Sequence, residues 1–172
     1  MQKRDSRSSV EIIDSSDIEK NGLSNEVPVT TITKENISDL FKGRNLAFVS
    51  TLSNDGSPHV TPVWADMEND LILINTSEAT AKIRHISRDP RVAISVVEQY
   101  NPYNMVSIKG RVIEQTTEGA DEHLHKLAKK YLGIGKYYYR PPKDKRVIIK
   151  VKPEKIMGLS LHPAFLFLAY SP

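Results

Sequence analysis

Apolar and polar positions alternate through the middle of the chain, and this alternation predicts β-strands. A period of two runs over residues 46–53 and 59–67, and the Asp-Gly pair between them is typical of a tight hairpin turn. The same pattern predicts four more strands, at residues 71–75, 91–98, 105–116 and 146–160. Six strands are therefore expected, most of them consecutive along the chain.

Three other segments have the spacing of a helix. In the first, at residues 33–43, apolar positions recur at intervals of three and four, and Thr33 is placed to cap the N-terminus. The second is predicted at residues 79–90, where a proline stops it, and the third at residues 118–132. Short helices between sequential strands favour a mainly β fold, a closed or nearly closed antiparallel barrel. They do not alternate regularly with the strands, as a doubly wound α/β fold requires.

Domain organisation follows from where this patterning begins. Residues 1–29 are polar and serine-rich without a sustained apolar period, so they are predicted to form a flexible N-terminal tail, with one folded domain over residues 30–172. No apolar run is long enough to span a membrane, and the N-terminus lacks the apolar stretch of a signal peptide. A cytoplasmic protein is expected.

Composition narrows the chemistry. The chain has no cysteine, which excludes disulfides, thiolate metal sites and thiol catalysis. Its net charge of +3 is unevenly divided, because residues 1–30 contribute −2 and the remainder +5. A positively charged folded part suits an anionic ligand such as a phosphorylated cofactor, and it also suits nucleic acid.

Standard catalytic and metal-binding patterns are missing from the sequence. It contains no dinucleotide-binding glycine motif, no phosphate-binding loop of the Walker type and no nucleophile elbow. His123 and His125 are two positions apart on a predicted helix and point in different directions, so a surface location without a metal is predicted for both. Asp66 and Glu68 flank a turn and are expected to be solvated.

Three segments remain as candidates for ligand binding, each with an ordinary structural alternative. Pro62 interrupts the strand HVTPVW, which indicates an edge strand with or without a ligand. Residues 75–82, NTSEATAK, place hydroxyls, helix amides and a lysine where a phosphate binds, or where a helix is simply capped. Residues 136–146, KYYYRPPKDKR, interleave tyrosines with basic residues, which favours either stacking on a ligand or a packed surface loop.

Taken in order, AFVSTLSNDGSPHVTPVW, LILINTSEATAKIRHISRDPRVAISV and VSIKGRVIE resemble the pyridoxamine 5'-phosphate oxidase-like split-barrel superfamily, in particular its flavin- or deazaflavin-dependent oxidoreductases. The resemblance covers residues 37–161. It implies a six-stranded antiparallel split barrel that forms a homodimer, with FMN or the deazaflavin coenzyme F-420 bound between the two subunits. It also implies that Gly110 lies where a neighbouring strand or subunit comes close.

The resemblance also implies which residues bind the cofactor. A strand segment would follow the edge of the ring, two residues would flank the ring and the ribityl chain, and three more would bind the phosphate, with the lysine supplying the charge. The strand segment consists of Val60, Thr61, Pro62, Val63 and Trp64. The residues that flank the ring and the ribityl chain are Asn75 and Thr76, and the residues that bind the phosphate are Thr80, Ala81 and Lys82.

Two departures argue against vitamin B6 oxidation. Residues 158–172 contain neither the tryptophan nor the arginine of the oxidases' C-terminal pattern, and His59 stands where those oxidases carry a different basic residue.

The function expected is hydride transfer between the cofactor and a small organic substrate, with no catalytic acid or base identified. The basic residues of the loop at 136–146 suit the polyglutamyl tail of F-420. Two alternatives belong to other classes. The first is a protein that binds a flavin or tetrapyrrole without turnover. The second, disfavoured by the lack of a base-stacking strand motif, is a nucleic-acid-binding barrel.

Overall fold

The computed structural model describes residues 11–12, 32–138 and 143–159. Within these ranges it has three helices: α1 (Lys34–Lys42), α2 (Ala81–Arg88) and α3 (Ala120–Leu132). The strands are β1 (Glu11–Ile12), β2 (Ala47–Leu52), β3 (Pro58–Val63), β4 (Ala65–Glu68), β5 (Leu71–Ser77), β6 (Arg91–Val97), β7 (Met105–Thr116) and β8 (Arg146–Leu159).

The predicted strands are confirmed within a few residues, with one correction. The single strand expected over residues 59–67 is divided at Trp64 into β3 and β4. The predicted tail lies outside the described residues except for β1, which pairs parallel with β8 at Lys155 and Ile156. No helix in the described part of the chain has the length and apolar character needed to cross a membrane.

The order of strands shows why the sheet curls into a barrel. Along the sheet the order is β3-β2-β6-β7-β8-β5-β4, with all of these pairs antiparallel. The two edge strands, β3 and β4, are consecutive in the chain and are joined only by Trp64. The sheet must therefore curve until its two edges approach each other, and the expected mainly β split barrel is confirmed.

Helix α1 forms as the sequence predicts and packs against β4 and β6. The Thr33 hydroxyl accepts a hydrogen bond from the Asn36 amide (3.2 Å) while the Asn36 side chain accepts one from the Thr33 amide (3.0 Å), so both ends of a capping box are present. Its apolar face is buried in the main core, which is filled mostly by valine and isoleucine side chains from the inner faces of β2, β5, β6, β7 and β8.

Gly110 lies where two strands approach closely, as expected. A Cβ atom at this position would lie 2.7 Å from the carbonyl oxygen of Lys152 and 2.9 Å from Val151 Cγ1 on β8. The pairing of β7 with β8 also shifts register between Lys109 and Gly110. A side chain here would push β8 away from β7 and open the barrel wall.

Candidate functional site

The junction between β5 and α2 offers free backbone amides at a helix N-terminus. Thr80 occupies the N-cap position in an extended conformation, but its side chain makes no capping hydrogen bond. Its hydroxyl donates instead to the Ser77 carbonyl (2.9 Å) and lies 3.3 Å from the Thr76 hydroxyl. The first turn of α2, which begins at the half-buried Ala81, has no acidic residue. These amides are therefore available to an anion, and ordinary capping by Thr80 does not account for the segment.

Lys82, in that first turn, is a buried cation without a counter-ion. It is only 8% exposed, and within the described ranges no carboxylate forms an ion pair with it. Burial, together with the positive charge of Arg146, holds the pKa of Lys82 below its usual value. A lysine in the first turn of a helix is also unfavourable next to the helix dipole. All three effects would be relieved by an anion bound at this point.

Arg146 is held at this position by side chains from β5 and from the segment before β8. Its Nε donates to Asn75 Oδ1 (2.8 Å) and its Nη1 donates to Asp144 Oδ2 (3.1 Å). Asn75 in turn donates from Nδ2 to the Ala120 carbonyl at the start of α3 (2.7 Å). The sequence placed Arg146 only within a basic loop, and no local motif marks it as a site residue.

Asn75 is placed differently from the other predicted site residues. Strand alternation puts it on the opposite face of β5 from Thr76, under α3. Its side chain contacts Arg146, Ala120 and His123, so it is linked to the β5–α2 junction through Arg146.

The predicted segment on β3 lies at an open sheet edge. Among the described residues β3 pairs only with β2, so the backbone groups on its other side have no strand partner there. Thr61 and Val63 point to the inner face, and the Thr61 hydroxyl is buried without a hydrogen-bond partner in the described part of the chain. Val60 and Pro62 are exposed on the outer face. An unsatisfied inner hydroxyl beside a free strand edge suits a polar ligand.

Helix α2 brings the two predicted segments together. At its N-terminus Thr80 contacts Thr76 of β5, and one to two turns later His85 packs edge-on against His59 of β3, with ring centroids 5.4 Å apart. Thr61 lies between His59 and Val63 on the same inner face. Among the ten predicted residues, the inner-facing Thr61 and Val63 of β3 and the residues at the β5–α2 junction therefore lie along the space between β3 and α2, which is called the groove below. Val60 and Pro62 lie on the outer face of β3, and Asn75 lies under α3.

Trp64 follows β3 at the end of this groove away from His59 and joins the two edge strands. Its ring stacks on Tyr131 (5.3 Å between centroids, 5° between planes) and meets Tyr137 edge-on at 5.8 Å. The Tyr131 hydroxyl donates to the Asn45 carbonyl (2.8 Å) and accepts from the Ala65 amide (3.2 Å). The position of Trp64 thus depends on the last turn of α3, which the sequence did not indicate.

Two predictions about ionisable residues near this position are wrong. Asp66, expected to be solvated, is 8% exposed, and its Oδ2 lies 2.6 Å from Lys126 Nζ. Burial acts to raise the pKa of Asp66, but the Lys126 and Met67 hydrogen bonds outweigh it and leave that pKa below its usual value. His123, expected at the surface, is also 8% exposed, and burial lowers its pKa. A signal for its burial was available, because His123 lies three positions after Ala120 and four before Leu127, on the buried face of α3.

The loop that follows α3 is only partly described, since Arg140 lies outside the described residues. Lys136 lies over the Tyr138 ring (5.5 Å), and Lys145 lies 3.9 Å from Glu78. A groove of about 430 Å³ beside Arg146 is lined by Glu78, Thr117, Ala120, Asp121, Glu122, Asp144, Lys145 and Arg146. This groove beside Arg146 is lined by four carboxylates and two basic groups, so it is not the basic channel that the composition of the loop suggested.

Comparisons with known proteins agree with this fold. The family profile described as "Pyridoxamine 5'-phosphate oxidase" matches residues 33–160. Among solved structures, an F-420 reductase is similar with 26% identity and a TM-score of 0.61, over 69% of this chain and 94% of its own.

Two further solved structures share the fold at lower identity. General stress protein 26 from Bacillus anthracis is 20% identical with a TM-score of 0.58, over 75% of this chain and 95% of its own. A FAD-binding protein from Mesorhizobium loti is 16% identical with a TM-score of 0.54, over the same two shares. No curated protein sequence matches the chain significantly.

Proposed function

The chain belongs to the pyridoxamine 5'-phosphate oxidase family, and from this premise we propose that it is a cytoplasmic, homodimeric oxidoreductase dependent on a flavin or deazaflavin. The proposed cofactor is FMN or F-420, and the proposed reaction transfers a hydride to or from a small organic substrate. The observation that carries the proposal is Lys82, a buried cation without a counter-ion among the described residues, at a helix N-terminus that Thr80 does not cap through its side chain.

The residues at this junction fit a phosphate group. The Lys82 ammonium supplies a positive charge, the first amides of α2 supply directed donors, and the hydroxyls of Thr76 and Thr80 lie beside them. Arg146 adds a second positive charge close enough to depress the pKa of Lys82. FMN and F-420 share a tricyclic ring and a ribityl phosphate, so this one anchor suits either.

The ring of the cofactor is proposed to lie along β3 between Thr61 and Trp64. The unpaired edge of β3 offers backbone donors and acceptors, except at Pro62, which has no amide hydrogen. The Thr61 hydroxyl gains a partner there, and Trp64 limits the groove and excludes water. When bound, the cofactor supplies the hydride chemistry, while the protein orients it and shields it.

A second subunit is proposed to cover the outer face of the barrel. A row of aligned, uncharged residues crosses five neighbouring strands on this face: Pro62, Phe48, Ser95, Ser107 and Met157. Phe48 is 43% exposed and Val60, beside the row, is 58% exposed. An uncharged face that exposes Phe48 and Val60 beside the open edge of β3 is typical of a protein interface. A second copy bound to this face would lie next to the cofactor groove.

The likeness to the F-420 reductase supports the deazaflavin over FMN. This reductase is 26% identical to the chain, whereas the other two structures described above are 20% and 16% identical. Vitamin B6 oxidation is not proposed, because residues 158–172 contain no tryptophan and no arginine. The proposed substrate is a small organic acceptor or donor of a hydride.

The decisive experiment is a fluorescence titration of the purified protein with FMN and, in parallel, with F-420. We expect saturable binding of at least one of them, weakened about 10- to 100-fold by Lys82→Met, because a charge-assisted hydrogen bond contributes about 1.5–3 kcal/mol. The matched control is Lys129→Met, which removes an exposed lysine from α3.

Two results would count against the proposal. Binding that Lys82→Met leaves at wild-type strength would remove the phosphate anchor from this junction. Binding of neither ligand would remove the case for an oxidoreductase. Steady-state reduction of an acceptor by the loaded protein then separates an enzyme from a protein that only carries the cofactor.

A further inference from the structure

Two histidines face each other beside the proposed phosphate anchor. The ring of His85, on α2, meets the ring of His59, on β3, at 5.4 Å and nearly perpendicular. Thr51 on β2 lies with its hydroxyl 2.9 Å from His85 Nδ1, which fixes the orientation of that ring and leaves Nε2 for another partner. Both histidines are half-buried. They have neither the exposure of surface residues nor the burial of core residues.

The pair continues the line of basic groups that starts at Lys82. His85 follows Lys82 by three positions, so it lies on the same face of α2 about 4.5 Å further along the helix axis. Because α2 runs from β5 towards the β2–β3 hairpin, this line follows the groove away from Trp64. At its far end Arg88 donates to the Leu52 carbonyl (2.5 Å) and to Asn54, which ties the helix to the hairpin.

The charged groups that act on the pKa of His85 are all basic. Burial lowers its pKa, and His59 on β3 and Arg84 and Arg88 on α2 lower it further. Arg84 is held by the Ala79 carbonyl (3.1 Å). Two carboxylates lie nearby. Asp89, whose amide donates to the His85 carbonyl (2.9 Å), pairs through its carboxylate with Arg91 (2.6 Å). Hydrogen bonds from Ser57 and the charge of Arg88 lower the pKa of Asp55 in the hairpin.

A metal ion does not suit this pair. No group of three possible ligands for a metal exists among the described residues, and the neighbouring arginines would repel a cation. Basic groups without an acidic partner, lined up with a buried lysine, suit an anion.

We propose that His59 and His85 form a second anion subsite of the cofactor groove, which binds an acidic group carried beyond the first phosphate. The inference rests on the proposed function and deepens it, because it selects among the cofactors. FMN ends at its single phosphate and does not reach the pair. A diphosphate, as in FAD, or the acidic side chain beyond the phosphate of F-420, does reach it. The shared chemistry is a second negative charge about one helical turn past Lys82.

The test compares FMN, FAD and F-420 as ligands of the wild type and of His59→Gln, His85→Gln and Lys82→Met. The control is His125→Gln, which changes a half-buried histidine on α3. At pH 6 we expect either histidine variant to weaken FAD or F-420 about tenfold while FMN changes less than twofold, and we expect Lys82→Met to weaken every ligand that binds. Because protonated imidazole binds anions better, the preference of the wild type for the extended ligand should fall between pH 6 and pH 8, and this dependence should be weaker in each single histidine variant.

The outcomes separate the inference from the proposed function. Extended ligands that bind the histidine variants as tightly as the wild type, or a loss that is equal for FMN, would overturn the second subsite while leaving the phosphate anchor intact. A wild type that binds none of the three ligands would overturn the proposed function itself. A loss confined to FAD, or to F-420, identifies the source of the acidic group. If His85→Gln does not fold, the test rests on His59→Gln. The hydrogen bond to Thr51 is made by the His85 ring, so replacing His59 does not remove it.

Discussion

At the scale of single residues, His123 makes stability depend on pH. Its ring is buried under α3, with Nε2 unpartnered in the described part of the chain and Nδ1 3.5 Å from Asn75 Nδ2. Burial lowers its pKa from 6.5, with Asp66 acting in the opposite direction. Below about pH 6.5 the unfolded chain therefore binds more protons at this residue than the folded chain, and the folded state loses stability as the pH falls.

We expect His123→Gln to reduce this acid sensitivity. Urea denaturation between about pH 5 and pH 7.5 should show the free energy of unfolding falling less steeply in His123→Gln than in the wild type. His125→Gln, two positions away on the same helix, should keep the slope of the wild type. Identical slopes in all three proteins would show that His123 does not change its protonation on unfolding.

Residue-scale prediction succeeds where the cause is local. Thr33 caps α1 as the sequence predicts, and Gly110 fits a position that no side chain can occupy. His123 and Asp66 were placed wrongly because their burial depends on where α3 rests on β5. The helical period shows which face is apolar but not which polar side chains the packing encloses.

At the scale of elements, the last turn of α3 is hydrogen-bonded to three separate segments of the chain. Lys130 Nζ donates to the Ala65 carbonyl of β4 (2.7 Å) and to the Phe41 carbonyl of α1, while Tyr131 binds Asn45 before β2. Burial lowers the pKa of Lys130 to about 8, against the opposing effect of Asp66. Between about pH 8 and pH 10.5 the unfolded chain binds more protons here than the folded chain, so this group makes stability rise with pH.

Lys130→Met should remove that rise. We expect the difference in free energy of unfolding between wild type and Lys130→Met to grow from about pH 8 to about pH 9.5, below the range where Tyr131 ionises, since burial raises its pKa. Lys129→Met, which changes an exposed neighbour, should parallel the wild type. Parallel curves for Lys130→Met and wild type would contradict a lowered Lys130 pKa. In that case Lys130 would contribute to stability through its hydrogen bonds alone.

At the element scale the strands were predicted correctly from the sequence, but the division of one strand at Trp64 was not. The period of two located the strands because each has one face in the core and one outside. The break at Trp64 was missed, although Pro62 correctly indicated an edge. Trp64 leaves the strand to stack on Tyr131, a residue far along the chain, and such a partner is not encoded in the local pattern.

At the scale of the whole molecule, the uncharged row on the outer face begins at the edge strand where the barrel closes. Pro62, at one end of the row, lies on the open edge strand beside the groove, and Phe48 is its cross-strand neighbour on β2. If a second copy covers this row, each groove gains a wall from the other subunit. Cofactor affinity should then depend on dimerisation as well as on Lys82.

Phe48→Glu tests this dependence, because a charge in the middle of an apolar interface is costly to bury. We expect light scattering to show a dimer for the wild type and a monomer for Phe48→Glu, and we expect the monomer to bind the cofactor at least tenfold more weakly. Leu132→Glu, which alters an apolar residue 51% exposed at the end of α3, should stay dimeric and bind normally. A Phe48→Glu monomer with wild-type affinity would place the whole site within one subunit, and the unpaired edge of β3 would then face solvent even with cofactor bound.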